Sequence, residues 1–381
     1  MIDIRPVKIR DRFVGYGQPC FVVAEAGVNH NGDLKTAKRL IEAAKEAGAD
    51  AVKFQTWMTE DIVTLKVPKP KYQETATGKS QYEMLRELEL SDADFEELAE
   101  HARSTEMIFL STPEGQECTD LVESLGVPAF KIGSADLTNH PHLAYVAKKG
   151  KPMIVSTGMA TLQEVREAVE VIENAGNDKI ILLHCTSAYP ARLEDVNLLA
   201  MLTLRDELNL QVGYSDHTIG IGVAIMAVLL GASLIEKHLT LDKTLPGPDH
   251  KASLEPREFS RMVRAIKFAE RKIATVSNLK DRLQEISDRV AVEKQVLEGV
   301  GSVLGNATKR PAKLEEEMIV LARKYIVAKD AIEEGDVITA DMLCIKRSGG
   351  GLEPKYLDRI VGKRARKTIE KEEPITFEKV V

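Results

Sequence analysis

The stretch Val212-Gly213-Tyr214-Ser215-Asp216-His217-Thr218, an apolar segment beginning at Val223, and then Ser233-Leu234-Ile235-Glu236-Lys237-His238 decide the fold class. Val212–Tyr214 and Ser233–Lys237 are short β-rich runs separated by a helix-length apolar segment, so the unit predicts strand, helix, strand in a parallel sheet. The most apolar part, Val223 to Ile235, contains Gly231 and is far shorter than the roughly 20 residues that span a bilayer, which makes it a buried helix leading into a strand. Working outward, the same alternation recurs at Phe21–Ala26, Ala51–Gln55, Met107–Leu110, Ala129–Ile132, Met153–Ser156 and Lys179–Cys185. With the two quoted runs this gives about eight strands, as a closed (β/α)8 barrel requires. Helical patterns follow them, for example Leu34–Ala47 with Gly48 as its stop and Leu162–Ala175 with Gly176 as its stop.

The chain has 381 residues, enough for one large domain and a small one. The reading divides it into an α/β TIM barrel over 1–285, a connector over 286–321 and a small β-rich domain over 322–381. A charged, helix-prone stretch from about Leu279 to Glu298 runs from the end of the barrel into the connector, followed by Gly301, Gly305 and Lys309-Arg310-Pro311. The small domain shows short runs at Tyr325-Ile326-Val327, Val337-Ile338-Thr339 and Leu343-Cys344-Ile345, and about 60 residues gain stability by docking on another surface. A net charge of −7 with Lys and Arg spread along the chain gives no footing for nucleic acid or an anionic membrane. Cys20, Cys118, Cys185 and Cys344 form no CxxC pair, and Met1-Ile2-Asp3-Ile4-Arg5 is not a leader, so a reducing cytoplasm is the expectation.

In such a barrel the chemistry lies at the C-terminal ends of the strands. Those ends offer Glu25; Lys53 and Gln55; Ser111 and Thr112; Lys131 and Ser134; Ser156 and Thr157; His184, Thr186, Ser187 and Tyr189; Ser215, Asp216 and His217; Glu236 and His238. Any one of these has a bland explanation as a helix cap or a paired core residue; the bias at nearly every strand end does not. Lys53 and Lys131, with hydroxyls from Ser134, Ser156 and Ser215, suit a phosphorylated or polyanionic substrate. His217 and His238 end adjacent strands and could share one divalent metal with positions left open, although a lone histidine is more often a hydrogen-bonded core residue. Asp216, Glu236 and Asp249 lie close by in sequence, and Leu245–Lys251 has the Pro and Gly content of an ordered loop. Asn29-His30-Asn31-Gly32-Asp33 reads as a turn with a helix cap.

Several blocks in order, Glu25-Ala26-Gly27-Val28-Asn29-His30-Asn31-Gly32, Ala51-Val52-Lys53-Phe54-Gln55, Phe130-Lys131-Ile132-Gly133-Ser134, Ser156-Thr157-Gly158-Met159, His184 to Pro190, Tyr214-Ser215-Asp216-His217-Thr218, Glu236-Lys237-His238 and Pro246-Gly247-Pro248-Asp249-His250, resemble those of sialic acid (N-acetylneuraminate) synthases. Lys346-Arg347-Ser348-Gly349-Gly350-Gly351-Leu352 and Ile360-Val361-Gly362-Lys363 look like the family's antifreeze-like SAF (β-clip) domain. The resemblance implies condensation of phosphoenolpyruvate with open-chain N-acetylmannosamine, or a close relative, to a nine-carbon 2-keto sugar acid and phosphate. It implies that His217 and His238 bind a divalent metal, manganese first, with magnesium or cobalt as alternatives, which polarises the aldehyde. Lys131, Ser134, Ser156, Ser187 and Ser215 would hold phosphoenolpyruvate; Lys53, Gln55, Tyr189 and Asp249 would face the sugar. Glu25 would transfer a proton, with Glu236 near the attacking water. A homodimer with swapped SAF domains is implied, with Arg347 reaching the sugar's N-acetyl end. Ser187 stands where some members have asparagine, and Ser134-Ala135-Asp136 departs from the usual Ser-Gly-acid.

Three rivals stay open at this point. A sister synthase making legionaminic or pseudaminic acid from a 2,4-diacetamido-trideoxyhexose needs only the same aldehyde end. A barrel metallohydrolase would carry histidine pairs early in the barrel, which are missing here. A non-catalytic carbohydrate-binding protein has no need of the whole polar ring.

Overall fold

The computed structural model describes residues 4–70, 73 and 80–381; Met1 to Asp3 of the polar opening lie outside the described residues. An antiparallel hairpin of β1 (Val7–Ile9) and β2 (Arg12–Val14), which the sequence patterns did not announce, precedes the barrel. The barrel strands are β3 (Phe21–Gly27), β4 (Ala51–Thr56), β5 (Ile108–Pro113), β6 (Phe130–Ile132), β7 (Met153–Ser156), β8 (Ile180–His184), β9 (Gln211–Asp216) and β10 (Leu234–His238). Their ladder runs β5-β4-β3-β10-β9-β8-β7-β6 and every pairing in it is parallel. All eight expected strands are present, Met153–Ser156 with the expected bounds and the others with a bound shifted by at most three residues.

Strand pleating sorts the side chains. In β3, Phe21, Val23 and Glu25 share one face, in β4 Ala51 and Lys53, in β10 Leu234, Glu236 and His238. The lower members (Phe21, Val23, Ala51, Ile108, Leu110, Ala129, Ile154, Ile181, Leu183, Leu234) form one apolar cluster with Val7, Ile9 and Val14, so the hairpin plugs the bottom of the barrel. The other faces of the strands, for example Val22, Val52, Phe54, Phe130, Leu182 and Val212, pack against the surrounding helices in the main core. Each strand thus runs from an apolar base to a polar upper end, and the substrate-facing layer rests on a packed floor.

The helix Leu34–Ala47 ends as expected at Gly48, whose φ of 85° is left-handed and suits glycine. The stretch expected as one helical run from Leu279 divides into Leu279–Ser287 and Lys294–Glu298. The break places the Glu293 carboxylate where it accepts from the amides of Ile221 and Gly222, at the start of the helix Gly222–Leu229. Val292, Val296, Val300 and Val303 join the same core as the barrel helices, so this segment is packed rather than free. No helix among the described residues is long and apolar enough to cross a membrane.

The C-terminal domain has its own core around Ile326, Ile338, Leu343, Ile360, Ile369 and Ile375, with β11 (Tyr325–Ala328) paired antiparallel to β12 (Leu343–Lys346). Val337–Thr339, expected as a strand, makes only a single bridge, Val337 to Arg364: this small fold is built from turns and isolated pairings. The domain lies over the barrel mouth of its own chain. There the Arg347 amide donates to the Ile62 carbonyl (2.8 Å) and its carbonyl accepts from the Thr64 amide (3.0 Å).

Candidate active site

The upper ends of the strands enclose a cavity of about 1020 Å³ including its mouth and the solvent that opens into it. Every residue assigned by the sequence reading to phosphoenolpyruvate (Lys131, Ser134, Ser156, Ser187, Ser215) or to the sugar (Lys53, Gln55, Tyr189, Asp249, Arg347) lines it, as do Glu25, His217, Glu236 and His238. On one side of the floor, Lys131 Nζ donates to Ser156 Oγ (2.7 Å) and to the Ile132 carbonyl (3.0 Å). Ser134 Oγ accepts from the Gly158 amide at 3.0 Å. A Cβ at Gly158 would overlap Ser187 Oγ and Ser134 Oγ, so only glycine lets the two hydroxyls converge on this main chain. The result is a pocket of hydroxyl and ammonium donors with the character of an anion site.

On the other side Lys53 Nζ lies 2.6 Å from Glu25 and 3.8 Å from Glu236, and donates to Thr112 Oγ1 at 3.1 Å. Gln55 donates to Glu25 at 2.9 Å. Burial raises the Glu25 carboxyl despite Lys53, which suits a group that exchanges protons. Burial works the same way on Glu236, but Lys131 and Lys53 outweigh it and hold that carboxyl below its ordinary value. Burial lowers Lys131, with Glu236 only partly compensating. Asp249 is pushed up to about 7 by burial and by Glu25.

The two imidazoles meet edge to face, centroids 5.6 Å apart, and the Tyr189 ring packs on His217 at 4.2 Å, tilted by 35°. His217 Nδ1 is 2.7 Å from the Thr186 carbonyl, which makes Nδ1 the protonated nitrogen and leaves the Nε2 lone pair available. His238 Nδ1 is buried without a hydrogen-bond partner. Burial lowers both, His217 to about 4 and His238 well below the ordinary value, so each is neutral, the form that binds metal. This donor set fits a divalent ion. Among the described residues no group of three His, Cys, Asp or Glu side chains is arranged for a metal, so the two imidazoles are the donors that this site offers.

Pleating removes some candidates. His184 faces the helices and hydrogen-bonds the Val196 carbonyl (2.8 Å). Asp216, expected beside the imidazoles, points outward into a fully buried ion pair with Lys237 at 2.8 Å. Ser111 pairs with Thr56 (2.7 Å), and Thr157 donates to the Leu183 carbonyl. Asn29 ties the Leu239 carbonyl and Ser253, which is structural. Asp136 also stays out of the cavity, bound to Lys324 and Asn139.

Several contributors escape a reading of the sequence. Glu315 Oε1 accepts from the amides of Met159 (2.8 Å) and Ser187 (2.7 Å). Lys309 donates to the Thr157 and Ala160 carbonyls, and Arg323 to the Met159 carbonyl. Met159 has a left-handed φ of 61°, a strained conformation held by these contacts on both its N–H and its C=O. At the mouth Glu114 binds Arg347 and Lys324; it directly follows β5, so the strand-end rule would have found it. Nothing local marks Glu315 or Lys309, which act from more than a hundred residues away.

Burial alone would raise Glu114 and Asp136, but Arg347 and Lys324 outweigh it for the first and Lys324 and His142 for the second, so both carboxyls are lowered. A carboxyl lowered by folding contributes stability that is complete above its unfolded value, about pH 4, and is lost as pH falls through the folded value. Asp136→Asn should therefore lower Tm at about pH 7 and make its decline between about pH 5 and 3 shallower than in wild type. Parallel declines would show that this pair does not seat the C-terminal domain.

Known proteins resemble this chain in sequence and fold. Residues 40–278 match the NeuB family and residues 323–381 the SAF domain. An N,N'-diacetyllegionaminic acid synthase of Legionella pneumophila is 44% identical over 92% of this chain and 91% of its own length. The human N-acetylneuraminate-9-phosphate synthase is 36% identical over 97% and 95%. The crystal structure of spore coat polysaccharide biosynthesis protein SpsE from Bacillus subtilis superposes with a TM-score of 0.80 at 34% identity, covering 99% of both chains.

Proposed function

The chain belongs to the NeuB family, and from that membership we propose that it condenses phosphoenolpyruvate with the open-chain aldehyde of an N-acetylated aminohexose such as N-acetylmannosamine, giving a nine-carbon 2-keto sugar acid and phosphate. One observation carries the reading: an anion pocket of Lys131 and four serines shares a cavity floor with two neutral imidazoles and two carboxylates. C3 of phosphoenolpyruvate bonds to the aldehyde carbon, water adds to C2, and the C2–O bond to phosphate breaks; the aldehyde oxygen takes a proton. Lys131, Ser134, Ser156, Ser187 and Ser215 bind the phosphoenolpyruvate. Lys53 and Gln55 fix Glu25 beside the aldehyde, where its raised carboxyl serves the proton transfer. Glu236, kept ionised between the lysines, accepts from the water. His217 and His238 would hold a divalent ion, manganese first, which when bound polarises the aldehyde oxygen. The roof formed by the C-terminal domain excludes bulk water.

The relatives divide over the sugar. One name carries a phosphate on C9, which is C6 of the starting hexose; the other carries two acetyl groups and no phosphate. The apolar wall of Val28, Trp57, Met84, Leu85 and Leu88 favours a second reading, a 2,4-diacetamido-trideoxyhexose. Phosphate release from phosphoenolpyruvate across a panel of such sugars, with and without chelator, tests both; release independent of any sugar rejects them.

The homodimer with swapped SAF domains would make between two chains the contacts that one chain makes here, since swapping changes the connection and not the interface. Arg347→Ala should raise the sugar KM at least about tenfold and leave the phosphoenolpyruvate KM within about twofold. Mixing Arg347→Ala with a barrel-site variant restores activity if roofs are exchanged; inactive mixed dimers show that each chain covers itself.

A further inference from the structure

At the cavity mouth Arg347 meets Glu114, and behind this pair, outside the cavity, Lys324 bridges Glu114 to Asp136. Arg347 Nη2 lies 2.8 Å and 2.9 Å from the two Glu114 oxygens, and Lys324 Nζ lies 3.1 Å from Glu114 and 2.9 Å from Asp136. Two cations and two carboxylates cancel. Among the described residues the lysines and arginines lining the cavity are Lys53, Lys131 and Arg347. The first two lie on the floor, so among the described residues Arg347 is the cation of the mouth, and it is ion-paired with a carboxylate that itself lines the cavity. The adjoining wall, with Trp57, Met84 and Leu85, is apolar and offers no charge to an anion. On the synthase reading the aldehyde sits on the floor, which would leave the far carbon of a hexose toward this mouth. A phosphate monoester there would face Glu114 and lose its hydration to an apolar wall, with Arg347 already taken.

We infer that the acceptor is an N-acylated aminohexose whose far end is uncharged, and that Glu114 is the specificity-determining residue that turns away a sugar phosphate by holding and neutralising Arg347. The inference rests on the synthase reading above and narrows it. It leaves room for hydroxyl, methyl and acetamido groups at the mouth, which the apolar wall and the neutralised ion pair beside it accommodate.

The test compares kcat/KM for N-acetylmannosamine and for N-acetylmannosamine 6-phosphate at saturating phosphoenolpyruvate, following phosphate release from the latter. Wild type should favour the unphosphorylated sugar by about 100-fold or more, the size of a like-charge penalty of a few kcal/mol. Glu114→Gln should cut that preference by about tenfold, and Glu114→Asp, which keeps the charge, should retain it. A wild type that prefers the 6-phosphate overturns the inference while leaving the synthase reading intact. An unchanged preference in a folded Glu114→Gln also overturns it. Should that variant not fold, the wild-type preference and that of Glu114→Asp decide. No release with any sugar overturns the synthase reading, and this inference with it.

Discussion

His217→Ala should lower kcat by about 10³-fold or more while leaving the protein folded. His217 hydrogen-bonds the Thr186 carbonyl through Nδ1 and meets Ser215 Oγ at 3.4 Å through Nε2, and its ring lines the cavity rather than the packed core, so its removal costs about 1–3 kcal/mol of stability. Its Nε2 lone pair is one of two imidazole donors to the proposed ion, and electrophilic help to an aldehyde is worth several kcal/mol, of which about 4 kcal/mol corresponds to 10³ in rate. Manganese binding, followed by the electron paramagnetic resonance signal of the free ion, should weaken in parallel and gives a readout independent of turnover. His238→Ala should behave alike, whereas His184→Ala, on the outer face, should change Tm and not manganese affinity. Wild-type turnover that survives complete chelation, or a His217→Ala enzyme with unaltered manganese binding, would refute the assignment.

Lys131→Met should reduce kcat/KM for phosphoenolpyruvate by about 10²- to 10³-fold. The ammonium is buried and shared among Ser156, the Ile132 carbonyl and, at 3.8 Å, Glu236. Burial keeps its pKa below the usual lysine value, so an arriving phosphate or carboxylate stabilises the charge it already carries. Removing one partner of a buried charge pair costs about 3–5 kcal/mol, which sets the expected loss. The sugar KM should move less than about threefold, because Lys131 lies on the Ser134 and Ser156 side of the floor and Lys53 on the Glu25 side. Equal losses for both substrates would mean that Lys131 supports the floor as a whole rather than holding phosphoenolpyruvate.

The polar crown of the barrel was legible because strand and helix periods, and the rule that chemistry gathers at strand ends, both act over a few residues. Glu25, Lys53, Lys131, Glu236 and His238 follow from that rule, and all line one cavity. The same rule also collected His184 and Asp216, because a shift of one residue reverses the face of a strand and a stretch of sequence does not mark which face is inside. The hairpin Val7–Val14 was missed because each of its strands has only three residues, too few for an alternating pattern to register.

By itself the sequence determined what is local: eight strands, the helices that follow them, the stop at Gly48, and a ring of reactive side chains in the right order. Only the tertiary structure decided which of those side chains meet. It set His217 against His238 through the pairing of β9 with β10, brought Glu315 onto the amides of Met159 and Ser187, and laid Arg347 on Glu114. The reason is that hydrogen bonds and ion pairs act over a few ångströms in space without regard to separation along the chain, so contacts between residues hundreds of positions apart exist only once the barrel has closed and its roof has docked.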